Sequence, residues 1–134
     1  MAEKILLEVV TPDRKLLAAE ADVVVCPGVE GQFGVLHGHI PFLSALDIGV
    51  MYYRDGAKTE SLSVSGGFAE VTGKKVTIVA EAAELGREID IERARRAMER
   101  AQQRLAAAKT EAIDFARAEA ALRRAMARMK AAGH

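Results

Sequence analysis

Near Gly86 this chain changes character. Up to that point it is short Val-rich runs punctuated by glycine; beyond it lies an Ala- and Arg-rich tail without a single proline. No one architecture accommodates both patterns, so the chain must fold as two modules that bury apolar surface in different ways. Charge follows the same break. Residues 1–84 carry 7 Lys and Arg against 12 Asp and Glu, net −5, whereas residues 85–134 carry 12 against 7, net +5. The formal net charge of +0 therefore conceals a dipolar molecule whose halves attract each other or an acidic partner.

The first module reads as β structure. Ile5 to Val10 is a β-rich run closed by the turn Thr11-Pro12-Asp13-Arg14, and Lys15 to Leu17 returns. Asp22 to Cys26 is a second short strand, expected to stop at Pro27-Gly28, and Gln32 to Leu36 is a third. Gly49 to Arg54 and Lys58 to Ser65 flank Asp55-Gly56, a hairpin in which Asp-Gly supplies the positive φ of a tight turn. Gly73-Lys74 marks another turn, and Val76, Ile78 and Ala80 then alternate as on a strand with one buried face. Ser65-Gly66-Gly67-Phe68 predicts a bend where another backbone comes close. Short strands at this spacing predict a sandwich or flattened barrel of two sheets.

The usual signatures of chemistry are thin in this module. Gly66-Gly67 lacks the Lys-Ser/Thr and following helix of a phosphate loop. His37-Gly38-His39 offers two imidazoles, too few for zinc without further ligands, so no metal site is expected. Cys26 is the lone cysteine and follows Val23-Val24-Val25; it reads as a reduced, buried small hydrophobe, against the alternative of a reactive thiol. No apolar run reaches membrane-spanning length, and Met1 to Val10 lacks the regions of a signal peptide, so a soluble, unexported chain is expected.

The second module reads as an antiparallel helical hairpin. Ile91, Ala94, Met98, Ala101, Leu105 and Ala108 follow the three-four spacing of a narrow seam. After a break near Lys109-Thr110-Glu111 the spacing resumes through Phe115, Ala118, Leu122, Ala125, Met129 and Ala132. Alanine makes persistent helices but a weak seam, so these rods can part without losing their internal hydrogen bonds. Asp90 is placed to cap the first rod, with Arg93 on the same face reaching back toward it. Arg123, Arg124 and Arg128 crowd the end of the second, and Arg95, Arg96 and Arg104 read as solvated helix-face charge.

Three segments in order carry a family likeness: Gly34-Val35-Leu36-His37-Gly38-His39-Ile40-Pro41, Ser65-Gly66-Gly67-Phe68-Ala69-Glu70-Val71, and Ile89-Asp90-Ile91-Glu92-Arg93-Ala94 ahead of the Ala-rich hairpin. Together they resemble the epsilon subunit of bacterial F-type ATP synthase, with His37 standing where that family commonly has proline. The resemblance implies a non-catalytic rotor subunit of the central stalk, peripheral on the cytoplasmic face of the plasma membrane and held there only through the complex. Residues 1–84 would bind the gamma subunit and the c-ring, with Glu30, Gly31, Gln32 and Phe33 as the c-ring loop. Residues 85–134 would regulate hydrogen-ion-coupled ATP synthesis, folding down on the β module or extending along gamma toward the alpha and beta subunits to block hydrolysis.

The family's ATP motif, Ile/Leu-Asp-x-x-Arg-Ala, is matched at Ile89, Asp90, Arg93 and Ala94. The resemblance adds Glu84, Arg100, Arg124 and Arg128, with Arg117 weaker, as ligands of a regulatory ATP in a protein that requires no cofactor. The competing reading is that Asp90 and Arg93 only steady the helix. Two other classes remain: a prefoldin-like coiled-coil chaperone module, which the polar tip Ala107-Ala108-Lys109-Thr110-Glu111 disfavours, and an enzyme, which would need convergent titratable residues in a cleft. Nucleic acid is not among the expected partners.

Overall fold

The computed structural model describes residues 3–107 and 112–133, with side chains from 115 onward in the second stretch. Ten strands come first: β1 (Ile5–Val10), β2 (Lys15–Ala21), β3 (Val23–Gly28), β4 (Gly31–Val35), β5 (Phe42–Ala45), β6 (Ile48–Asp55), β7 (Lys58–Ser65), β8 (Gly67–Val71), β9 (Lys75–Ala80) and β10 (Ala83–Leu85). A 3₁₀ turn at Gly86–Glu88 leads to α1 (Ile91–Ala107) and α2 (Ala112–Ala131). The break near Lys109-Thr110-Glu111 lies outside the described residues.

Two five-stranded sheets face each other in the orders β2-β1-β9-β8-β5 and β10-β7-β6-β3-β4. Pairing is antiparallel except between β1 and β9. The alternation of β9 appears as read, with Val76, Ile78 and Ala80 buried. They join Ile5, Leu7 and Val9 from β1 and Val24, Met51, Leu62 and Val64 from the opposite sheet in one core.

Several local expectations change. Pro27-Gly28 does not stop β3: Pro27 pairs with Gln32 and Gly28 with Gly31, so the turn falls at Val29-Glu30. Proline is tolerated there because β3 meets β6 only through Val23, Val24 and Val25, leaving Pro27 beyond that ladder. The β6–β7 hairpin has Asp55 paired with Lys58, which puts Gly56 (φ 62°) at the first turn position, the pattern of a type II′ turn, and leaves Asp55 in the strand. The short strands β5 and β10 carry too little alternation to announce themselves.

Gly67 meets its expectation. At φ 104°, a Cβ on it would lie 2.0 Å from the Val79 carbonyl oxygen and 2.8 Å from Ala80 Cα, so the β8–β9 approach excludes any side chain. Gly67→Ala should therefore lose at least about 3 kcal/mol by strain and overlap together, measured as a fall in the denaturation midpoint at unchanged slope; a loss below about 1 kcal/mol would show that the bend relaxes freely.

Candidate functional site

The second module sits on the first. On β7 the even positions Leu62 and Val64 go to the core, which leaves Ser61, Ser63 and Ser65 on the outer face, opposite Tyr52, Val50 and Ile48 of β6. Small hydroxyls let a helix come close, and α2 lies across β6 and β7. Ala127 and Ala131 are buried in this arrangement, while Ala118 and Ala125 of α2 and Ala94 and Ala101 of α1 are buried as seam positions. Not every seam position is covered: Phe115 is 44% exposed, and Met98, Leu105, Leu122 and Met129 are only half-buried. The large side chains lie at the rims because four alanines bring the rods too close for them. Ile89, Ala94 and Ala131 form a small second core with Val50, Met129 and Ala132.

Three ion pairs cross between the modules or at their junction. Arg128 pairs with Glu84 of β10: its Nε lies 2.6 Å from Oε1 without hydrogen-bond geometry, and its Nη2 donates to Oε2 at 3.4 Å. Arg123 Nη2 meets Asp47 Oδ1 at 2.8 Å and also donates to the Ile48 carbonyl at 3.4 Å. Arg87, in the 3₁₀ turn, lies 2.8 Å from Glu60 Oε1, and the buried Tyr53 hydroxyl donates to Glu60 Oε2 at 2.7 Å. Burial, followed by the Glu60 carboxylate, pushes the Tyr53 phenol up to about 12, which keeps it a proton donor.

Between the sandwich and the two rods lies a cleft of about 520 Å³, a volume in the range of small-molecule sites. Its floor is Ser63, Ser65 and Glu84; Arg93, Arg100 and Arg104 line it from α1, Arg124 and Arg128 from α2. Glu84 is the one carboxylate among these lining residues, and Arg128 already neutralises it. The cleft is thus a concentrated cationic surface of guanidinium forks, suited to a ligand bearing several phosphate or carboxylate oxygens.

Of the residues singled out for ATP, Glu84, Arg93, Arg100, Arg124 and Arg128 line this cleft. Ile89 and Ala94 are instead buried in the second core. Asp90 is the N-cap, its Oδ1 accepting from the backbone N–H of Arg93 at 3.1 Å; the group of Arg93 that meets it is the amide, not the guanidinium. Arg117 is exposed and does not line the cleft. Arg104, expected in solvent, does line it; its spacing of four from Arg100 was the available signal. Arg95 pairs with Glu92, and Arg96 is exposed, as read.

Other positions resolve as follows. Cys26 is fully buried, and burial pushes its thiol up to about 12, so it packs as a small apolar group. His37 Nε2 lies 3.0 Å from Glu3, and His39 Nδ1 lies 2.7 Å from the Ile40 carbonyl, so the two imidazoles serve different partners. Of the expected c-ring loop only Glu30 is in a turn; Gly31, Gln32 and Phe33 belong to β4, with Phe33 edge-on to Phe42 at 5.2 Å. The tip that disfavours a chaperone falls, from Ala108 onward, outside the described residues. No described helix is long and apolar enough to cross a membrane.

A β-sandwich bearing a docked two-helix hairpin defines a class, and comparison places the chain in it. Residues 4–86 match the beta-sandwich domain and residues 87–133 the long alpha-helix domain of the ATP synthase Delta/Epsilon chain. The ATP synthase epsilon chain of Nitratidesulfovibrio vulgaris (strain DP4) is 56% identical over 109 residues, 81% of each chain. That of Carboxydothermus hydrogenoformans is 56% identical over 106 residues, 79% of each. Among solved structures, a chain in the cryo-EM structure of the Euglena gracilis mitochondrial ATP synthase OSCP/F1/c-ring superposes with a TM-score of 0.83 at 27% identity, covering 100% of this chain and 84% of that one. The chain belongs to the delta/epsilon chain family of the ATP synthases. Within it this is an epsilon subunit, a structural and regulatory component that is not itself catalytic.

The Asp47–Arg123 pair makes docking pH-sensitive. Arg123, then the Ile48 N–H, hold the Asp47 carboxyl below its ordinary 3.8. A depressed folded value means that the stabilisation is fully present above 3.8 and is lost as pH falls below it through the folded value. Both side chains are about 40% exposed, so the pair is worth under about 1 kcal/mol. Acid titration followed by NMR at Ile48 and Ala127 should show the hairpin loosening in that window, and Arg123→Ala should remove that step; an identical titration in both proteins would assign the loosening to other carboxylates.

Proposed function

We propose that this epsilon subunit is the rotor element that couples the catalytic head of a proton-translocating F-type ATP synthase to its c-ring, and that its hairpin restrains ATP hydrolysis, with ATP holding the hairpin down. The observation that carries the reading is the arginine cleft at the seam: it exists only while both rods lie on the sandwich, so an anion bound there favours the docked state by its differential affinity. The complex works on the cytoplasmic face of the bacterial plasma membrane, and this chain reaches the membrane only through it.

Residues 1–84 act as the assembly module. The outer face of the β2-β1-β9-β8-β5 sheet carries the cross-strand row Ala45, Phe68, Val79 and Val10, with Phe68 46% and the neighbouring Leu43 66% exposed. α2 covers the other sheet, so this apolar row supports docking on gamma. The β3–β4 end, with Glu30, Gly31, Gln32 and Phe33, supports the c-ring contact, and exposed Val29 adds apolar surface at the same turn. Residues 85–134 act as the regulatory module. Their +5 charge suits acidic segments of the beta subunits as well as the −5 sandwich, so two surfaces compete for one hairpin.

Co-purification with alpha, beta and gamma subunits tests the assembly. In that complex, replacing Arg123, Arg124 and Arg128 by Ala keeps helix propensity and removes three charges; hydrolysis should rise at low salt, with the difference from the unmodified complex narrowing as salt increases. Hydrolysis unchanged at every ionic strength would leave the hairpin charge without a regulatory role.

For the nucleotide, ATP at 100 times its dissociation constant should stabilise the isolated protein by about 2.7 kcal/mol. Arg93→Ala leaves the Asp90 cap intact, because the cap uses the Arg93 amide, so it should erase the ATP-dependent shift while moving the ligand-free melting temperature little. Calorimetry that detects no heat up to millimolar ATP would remove nucleotide binding and leave the rotor assignment standing.

A further inference from the structure

We propose that Gly86 is the seat on which the hairpin closes, a position whose missing side chain sets whether α2 can dock. Gly86 is buried in the 3₁₀ turn, and a Cβ built on it would lie 2.1 Å from the Ala131 carbonyl oxygen and 2.9 Å from the Ala131 carbonyl carbon, both at the last residue of α2. The nearest sandwich atom, the Ser61 carbonyl oxygen, would be 3.0 Å away, a milder overlap that asks Ser61 to give by a few tenths of an ångström. Gly86 is not among the positive-φ glycines, so its backbone conformation is open to any residue. What requires glycine here is the closeness of the docked hairpin.

The seat belongs to the sandwich. β10 is hydrogen-bonded to β7 up to Leu85, and Leu85 is buried in the sandwich core. One residue past Gly86, Arg87 is pinned to Glu60, which the buried Tyr53 hydroxyl holds from the other side. Past Arg87 the chain enters the second core at Ile89, which packs with Ala94 and Ala131. The boundary between fixed and movable parts therefore lies at residues 88–90, and α2, returning from the far end of the hairpin, closes onto a fixed surface beside its own origin. A methyl group at 86 overlaps the docked hairpin far more than it crowds the sandwich. This rests on the proposed reading that the hairpin can leave the sandwich, and it is independent of nucleotide binding.

The test is Gly86→Ala in the full chain, with spin labels on cysteines replacing exposed Lys58 on β7 and Glu119 on α2; the native Cys26, fully buried, stays unlabelled. Pulsed dipolar spectroscopy reads the distance between modules, and hydrogen exchange of β1 and β9 amides reads the sandwich. The expected result is a docked-to-open ratio lowered about tenfold or more, seen as a longer and broader distance distribution, with β1 and β9 protection unchanged. Gly73→Ala is the control, since a Cβ there meets nothing within 4 Å; its distribution should match the unmodified chain. An unaltered distribution for Gly86→Ala, an equal change for Gly73→Ala, or loss of protection in β1 and β9 would each overturn the proposal, the last by showing that glycine at 86 serves the sandwich itself.

Discussion

Close approach of α2 to the β6–β7 face is the contact on which the rest of the molecule depends. The face is built for closeness, with Ser61, Ser63 and Ser65 in a row and glycine at 86, and the helix answers with Ala127 and Ala131. Were either surface larger, the rods would ride higher. Arg128 would then lose Glu84, Arg123 would leave Asp47, and the arginine-lined cleft would open into a groove. Small residues thus place long charged ones at hydrogen-bonding distance.

The same economy makes docking weak. A buried alanine contributes one methyl group, about 0.8 kcal/mol for a group of that size, and the ion pairs are partly exposed, each worth no more than about 1 kcal/mol. The helices themselves do not depend on docking for their internal hydrogen bonds, since alanine and arginine favour helix on their own. A stiff element held by a few small increments is what a ligand or a competing surface can move with modest differential affinity. Cations clustered in the cleft repel one another, which lowers the stability of the empty docked state further and leaves more for an anion to restore.

The two-module plan, the alternation of β9 and the bend at Gly67 were legible because each is a local pattern with one physical cause: period two, or a backbone too near for a side chain. β5 and β10 were not, since strands of 4 and 3 residues are defined by their neighbours more than by their own text. The seam of α2 was legible from spacing, but its second buried face was not. Ala127 and Ala131 look like helix filler until a partner surface is known. At the cleft, family pattern gathers the arginines; Ile89 and Ala94 of the same motif pack in the second core, and Arg104 lines the cleft as well. Charge on a helix face reads the same in sequence whether it meets water or another element, and only the docking angle separates Arg104 from Arg96.

The two sheets end in unequal states, and this inequality orders the whole. Each of two packed sheets has an outer face, and a polar, alternating strand can leave that face to water. β7 does so with its serines, yet it is the face that receives the helix. The opposite face carries exposed Phe68 and Leu43 beside Val79 and Val10, and neither described helix lies on it. A cover that must come off is best laid over a surface that water tolerates, because each opening then exposes little hydrocarbon. A permanent partner is best laid over the surface that water does not tolerate. On that division, the serine face suits the movable hairpin proposed above and the apolar row suits the lasting attachment proposed to gamma, so a single sandwich could carry a fixed joint and a movable one on opposite sides.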